Sequence, residues 1–194
     1  MDIQPEDRDL LTTMKRAASV LKAHEIPFAL TGGFAVYARG GTSSDHDVDF
    51  LLRREDADRA LEALAEAGFS TRTPPEDWLV KAFDEDRLVD LIHRPVEREV
   101  TLETLRDSDV ISVHAIAVPV VSATTLMVHK MLTFTEHYCD FATALPLARS
   151  LREQIDWRRV AGEAAPSPYA RAFLYLAAEL DIMPESDLEG VARG

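Results

Sequence analysis

The sequence predicts an α+β fold: a mixed β-sheet with flanking helices, then a helical C-terminal region. Three observations carry that expectation. Asp47-Val48-Asp49-Phe50 alternates acid with apolar residue and runs into Leu51-Leu52, the period-two pattern of a half-buried strand. Leu10, Leu11, Met14, Ala17, Ala18 and Leu21 recur at helical spacing, as do Ala57, Ala60, Leu61 and Leu64. After Ser122 the remaining apolar positions read as helices. The expected organisation is a core over residues 1–121 and a helical region over 122–194 packed on it.

Taken in order, the first helix runs from about Glu6 to His24 and is stopped by Pro27. Phe28 to Thr31 is a short apolar strand, Gly32-Gly33 opens a helix from Phe34 to about Arg39, and Gly40-Gly41 turns the chain toward the strand Asp47 to Leu52. Glu55 to Ala67 is a helix with Gly68 as its C-terminal stop. Phe69 to Thr71 can pair with the sheet before Pro74-Pro75 breaks the chain. Trp78 to Phe83 and Arg87 to His93 flank Asp84-Glu85-Asp86 as a hairpin, and Val110 to Val121 reads as one last strand. Ser122 caps a helix from Ala123 to Glu136, followed by helices Tyr138 to Arg152, Asp156 to Glu163 and Pro168 to Leu180. The polar tail Glu185 to Gly194 is expected to fray.

Composition narrows the function. A net charge of −13 argues against a protein that relies on a broad basic surface to hold long nucleic acid. It leaves room for a local patch from Arg53-Arg54, Arg149, Arg152, Arg158 and Arg159, which as a group otherwise read as solvated helix faces. One cysteine, Cys139, excludes an intramolecular disulfide and suits a reducing compartment. With an acidic N-terminus unlike a signal peptide and no apolar run long enough for a membrane span, the expectation is a soluble cytoplasmic protein.

The chemistry concentrates where Gly32-Gly33 and the acid pair meet. On a strand, Asp47 and Asp49 project to one face while Val48 and Phe50 enter the core. Adjacent carboxylates repel and raise each other's pKa unless a cation sits between them, and oxygen-only donors suit Mg²⁺ or Mn²⁺. A strand, two glycines and a helix start offer free N–H groups to an anion. Asp90, one acid inside Leu88-Val89-Asp90-Leu91-Ile92, needs a partner if buried and is otherwise an edge residue facing solvent.

Gly32-Gly33, thirteen intervening residues and Asp47-Val48-Asp49-Phe50 resemble the signature of the polymerase-β-like nucleotidyltransferase superfamily. His46-Asp47-Val48-Asp49 is similar to small antibiotic nucleotidyltransferases, whereas Lys130 and Asp140 in a helical C-terminal half resemble the AbiEii and MenT-type toxin enzymes. The resemblance implies a nucleotidyltransferase core that moves a nucleoside monophosphate from ATP or another NTP to an acceptor hydroxyl. It makes Asp47, Asp49 and Asp90 the metal ligands, with Asp90 also the general base. Gly32, Gly33, Ser43 and Ser44 would hold phosphates, with Lys130 and Asp140 at the triphosphate. The acceptor is then the tRNA 3′ end, with an antitoxin as partner, or an antibiotic hydroxyl, or a protein.

Blander readings stand beside these. Lys130 also suits a snorkelling surface lysine, Ser43 and Ser44 an ordinary turn, and His46 a local hydrogen bond. Asp45 competes with Asp49 as the partner of Asp47. His129, His137, Cys139 and Asp140 fit none of the common zinc spacings. His93 and His114 have only strand positions. A catalytically dead nucleotide-binding module is the remaining alternative.

Overall fold

The computed structural model describes residues 5–41 and 47–190. They form two compact units, one of residues 5–38 and 47–121, the other of residues 39–41 and 122–190.

The first unit is built on a seven-stranded mixed sheet. Its strands are β1 (Phe28–Thr31), β2 (Val48–Leu52), β3 (Ser70–Arg72), β4 (Leu79–Asp84), β5 (Arg87–Ile92), β6 (Ser108–Val113) and β7 (Ile116–Val121), in the order β3-β4-β5-β2-β1-β7-β6. β2 is antiparallel to β1 and parallel to β5, and β1 is parallel to β7. The helices are α1 (Pro5–Ala23), α2 (Gly32–Ala38), α3 (Ala57–Glu66) and α4 (Leu102–Arg106).

The apolar stripe of α1 (Met14, Ala17, Ala18 and Leu21) is fully buried, as are Val48, Phe50 and Leu52 of β2. α1 packs on β2, β5 and α3, and α3 packs on β3 and β4. The rings of Phe28 and Phe50 meet edge to face at 5.3 Å. One polar cluster ties α1 to the β4–β5 hairpin. Thr13 Oγ1 donates to Asp84 Oδ2 at 2.6 Å, Arg87 Nε donates to Thr13 Oγ1 at 2.9 Å, and Arg16 pairs with Asp84. Burial by itself would raise the Asp84 pKa, but the Thr13 hydroxyl and the Arg16 and Arg87 guanidiniums override it and hold the carboxyl below its ordinary value.

The second unit contains α5 (Ala123–Leu132), α6 (Phe141–Leu151), α7 (Trp157–Ala164) and α8 (Pro168–Glu179). Each begins at a side-chain cap, in turn Ser122, Asp140, Asp156 and Ser167. The Asp156 N–H donates to Thr124 Oγ1 at 2.9 Å, joining α7 to α5. Phe134, Phe141 and Phe173 bring their rings within 5.2–6.0 Å of one another.

Several expected elements differ. Val110 to Val121 is not one strand but the hairpin β6–β7, whose turn residues His114 and Ala115 both take positive φ (45° and 70°). Two consecutive left-handed residues make a tight primed turn, which the chain forms without the Asn-Gly pair that usually announces one. His114 therefore stands in a turn, stacked on Tyr37 with 2.8 Å between the Tyr37 hydroxyl and His114 Nε2. α5 stops at Leu132, four residues short of the expected Glu136, and α6 starts at Phe141 because Asp140 caps it through the Ala142 N–H. α4, held by a Thr101–Thr104 capping box, was not expected. Of the tail expected to fray, Glu185–Gly190 form a 3₁₀ helix packed on α7 and α8.

Candidate active site

Strand register builds the site. Asp49 pairs with Asp90 across the parallel β2–β5 edge, and Lys81 pairs with Asp90 across the antiparallel β4–β5 edge. Directly paired residues share a face of the sheet, so these side chains stand together. Asp47 immediately precedes β2. The carboxylates of Asp47, Asp49 and Asp90 each place an oxygen within 4.8 Å of the others, with Asp90 buried and the other two half-buried.

This cluster carries its electrostatic cost openly. Withdrawal from water, then the charges of Asp47 and Asp90, push the Asp49 pKa up from 3.8 to about 7, against a smaller opposing effect of Lys81. Asp90 is also raised, chiefly by burial, although Lys81 Nζ donates to it at 3.1 Å. An all-oxygen donor set in which neighbouring charge adds to the raised pKa of Asp49 and Asp90 is the chemistry expected of a hard divalent-cation site, so these residues fit such an ion.

Gly32 supplies the close approach. It follows β1 with φ of +61°, and a Cβ there would lie 1.8 Å from Asp49 Oδ2. The Asp49 carboxylate therefore occupies the space that any other residue at position 32 would fill. This is the physical reason for glycine beside the acid pair. Gly33 is the second residue of α2.

The chain matches the family model for uncharacterised nucleotidyltransferases over residues 3–182. It belongs to that nucleotidyltransferase family. Its fold is similar to the solution structure of the antibiotic-resistance factor ANT(2'')-Ia, with a TM-score of 0.64 and 16% identity over 90% of this chain and 96% of that one. ANT(2'')-Ia in complex with adenylyl-2''-tobramycin gives a TM-score of 0.59 and 13% identity, covering 87% and 98%. An antigenic nucleotidyltransferase-like protein from Paracoccidioides brasiliensis gives 0.50 and 16%, covering 96% and 93%. At these identities the likeness is one of fold. A sequence comparison with curated proteins returns no match.

In this nucleotidyltransferase the structure thus brings together Asp47, Asp49, Asp90 and Gly32. Lys130, on α5, and Asp140 belong to the second unit. Burial lowers the Lys130 pKa, and the Asp140 charge partly offsets that, so these two act on each other. Asp140 also has a structural task as the cap of α6. Ser43, Ser44, Asp45 and His46 lie outside the described residues. Lys81 is the participant that reading the sequence missed. Its signal was the position opposite Asp90 across a hairpin centred on Glu85-Asp86. No helix among the described residues is long and apolar enough to cross a membrane.

Proposed function

We propose that the chain transfers a nucleoside monophosphate from an NTP to an acceptor hydroxyl, with Asp47, Asp49 and Asp90 holding Mg²⁺ or Mn²⁺. The observation that carries this reading is the convergence of three carboxylates within 4.8 Å beside a glycine that Asp49 packs against. A divalent ion held there neutralises charge on the reacting phosphate and favours departure of pyrophosphate. The N–H groups of Gly32 and Gly33 cradle the phosphates, and the family resemblance adds Ser43, Ser44, Lys130 and Asp140 as further phosphate-binding candidates. Asp90, whose pKa burial raises, takes the proton of the attacking hydroxyl. Lys81, 3.1 Å away, fixes the direction in which that carboxylate points.

The toxin-type resemblance supports the tRNA 3′ end as acceptor and an antitoxin as partner. A second reading, adenylylation of an antibiotic hydroxyl, is favoured by one observation: the likeness to ANT(2'')-Ia covers 90% of this chain and 96% of that one. The test is Asp47→Asn in a transfer assay with labelled NTPs against RNA, drug and protein acceptors. Transfer is expected to vanish while the protein stays folded. Retained turnover would remove the acid pair from the reaction.

A further inference from the structure

The sheet register extends the row of side chains at the site beyond the carboxylates. Asp49 is opposite Asp90, Asp90 opposite Lys81, and Lys81 opposite Arg72 on β3. All four share one face, so two acids are followed, strand by strand, by two cations. Lys81 is partly exposed and pairs with Asp90 at 3.1 Å. Arg72 is exposed, its guanidinium 5.8 Å from the centre of the Phe83 ring, and among the described residues it ion-pairs with no carboxylate.

Strand order gives this row a direction. The glycine turn that would seat the triphosphate follows β1, and the acids come from β2 and β5. In-line displacement requires the acceptor oxygen to approach opposite the departing pyrophosphate, on the side of the acids away from the glycine turn. Across the sheet from β1, that side is β5, then β4 and β3.

We infer that Lys81 and Arg72 form an anion-binding strip that selects an acceptor carrying a phosphate close to its attacking hydroxyl. This rests on the nucleotidyl-transfer reading and names the acceptor class for it. Two cations beside an aromatic ring suit a nucleotide or other phosphorylated acceptor, and they disfavour a polycationic aminoglycoside. The strip also reconciles a phosphorylated acceptor with a net charge of −13, because the positive charge need only be local.

The experiment uses the full chain with Mg²⁺, α-labelled NTPs and four acceptors: total RNA, 5′-AMP, adenosine and tobramycin. The expected result is labelling of RNA or 5′-AMP at least tenfold above adenosine, with tobramycin unlabelled. RNA alone would identify a polynucleotide source, and 5′-AMP a small-molecule one. Arg72→Gln is expected to raise the KM for the phosphorylated acceptor about tenfold, the effect of one charge-assisted hydrogen bond, without raising that for the NTP, and Arg72→Lys to recover part of it. Equal labelling of adenosine, labelling of tobramycin, or an acceptor KM indifferent to Arg72→Gln would overturn the inference. Should no acceptor be labelled, inorganic phosphate is titrated into chain saturated with Mg²⁺ and an α,β-methylene NTP. Binding weakened by Arg72→Gln upholds the strip, and absence of binding overturns it. Transfer surviving Asp47→Asn would instead refute the underlying nucleotidyl-transfer reading, so the two failures are separable.

Discussion

Replacing Gly32 by alanine attacks the site at its tightest point. The backbone there has φ of +61°, and a side chain in that left-handed conformation costs ~1–2 kcal/mol. The added Cβ would sit 1.8 Å from Asp49 Oδ2, whereas ordinary contact begins at 3.4 Å, so the carboxylate or the turn must give by about 1.6 Å. Displacement of a positioning group by ~1 Å is enough to cost ~10²-fold in rate. Gly68→Ala isolates the backbone contribution, because Gly68 also has positive φ (+91°) but nothing within 4 Å of its Cβ position. Both variants are expected to lose ~1–2 kcal/mol or more in urea denaturation, but only Gly32→Ala should lose at least ~10²-fold in nucleotidyl transfer. If Gly32→Ala transferred nucleotide at nearly the wild-type rate, the packing of Gly32 on Asp49 would have no bearing on catalysis.

Other expectations follow from the charges. Asp49→Asn should stabilise the metal-free protein at pH 8, where a pKa moved from 3.8 to about 7 is a penalty of at most ~4 kcal/mol, and a gain of ~1–3 kcal/mol by urea denaturation in chelator is expected. The sign is that of a carboxyl raised on folding. The wild type gains stability as pH falls from about 7 toward 4, and the variant lacks this gain. Asp84 has the opposite sign: its folded pKa is lowered, so its contribution is present above 3.8 and is lost as pH falls below that value. Asp84→Asn should cost ~2–4 kcal/mol at neutral pH by leaving Arg16, Arg87 and Thr13 without their carboxylate, and should flatten the acid limb of the stability profile.

Much of this was legible in the sequence because the relevant signals are local. The period-two run at Asp47 forces both acids to one face whatever the rest of the chain does, and the Met14–Leu21 stripe is buried as its spacing implies. Asp90 was conspicuous because a lone acid in an apolar strand needs a partner, and it has Lys81 and the acid pair. Lys81 and Arg72 escaped notice because their importance lies in cross-strand register, which depends on how three separate segments pair. The β6–β7 turn was missed for a related reason. His114 tolerates positive φ better than most residues but Ala115 does not favour it, so the pair announces no turn and the pairing of the flanking strands imposes it. Asp140 illustrates another limit: a residue that matches a family motif also satisfies a helix N-terminus, and both demands select an aspartate.

The proposed chemistry requires Asp47, Asp49 and Asp90 to act as one cation site. Mn²⁺ binding followed by electron paramagnetic resonance tests it directly, in the wild type and in each single Asp→Asn variant, with and without an unreactive NTP analogue. All three variants should lose Mn²⁺ affinity, with the loss largest in the presence of the analogue. Undiminished Mn²⁺ binding in any two of them would mean that the three carboxylates do not share one ion.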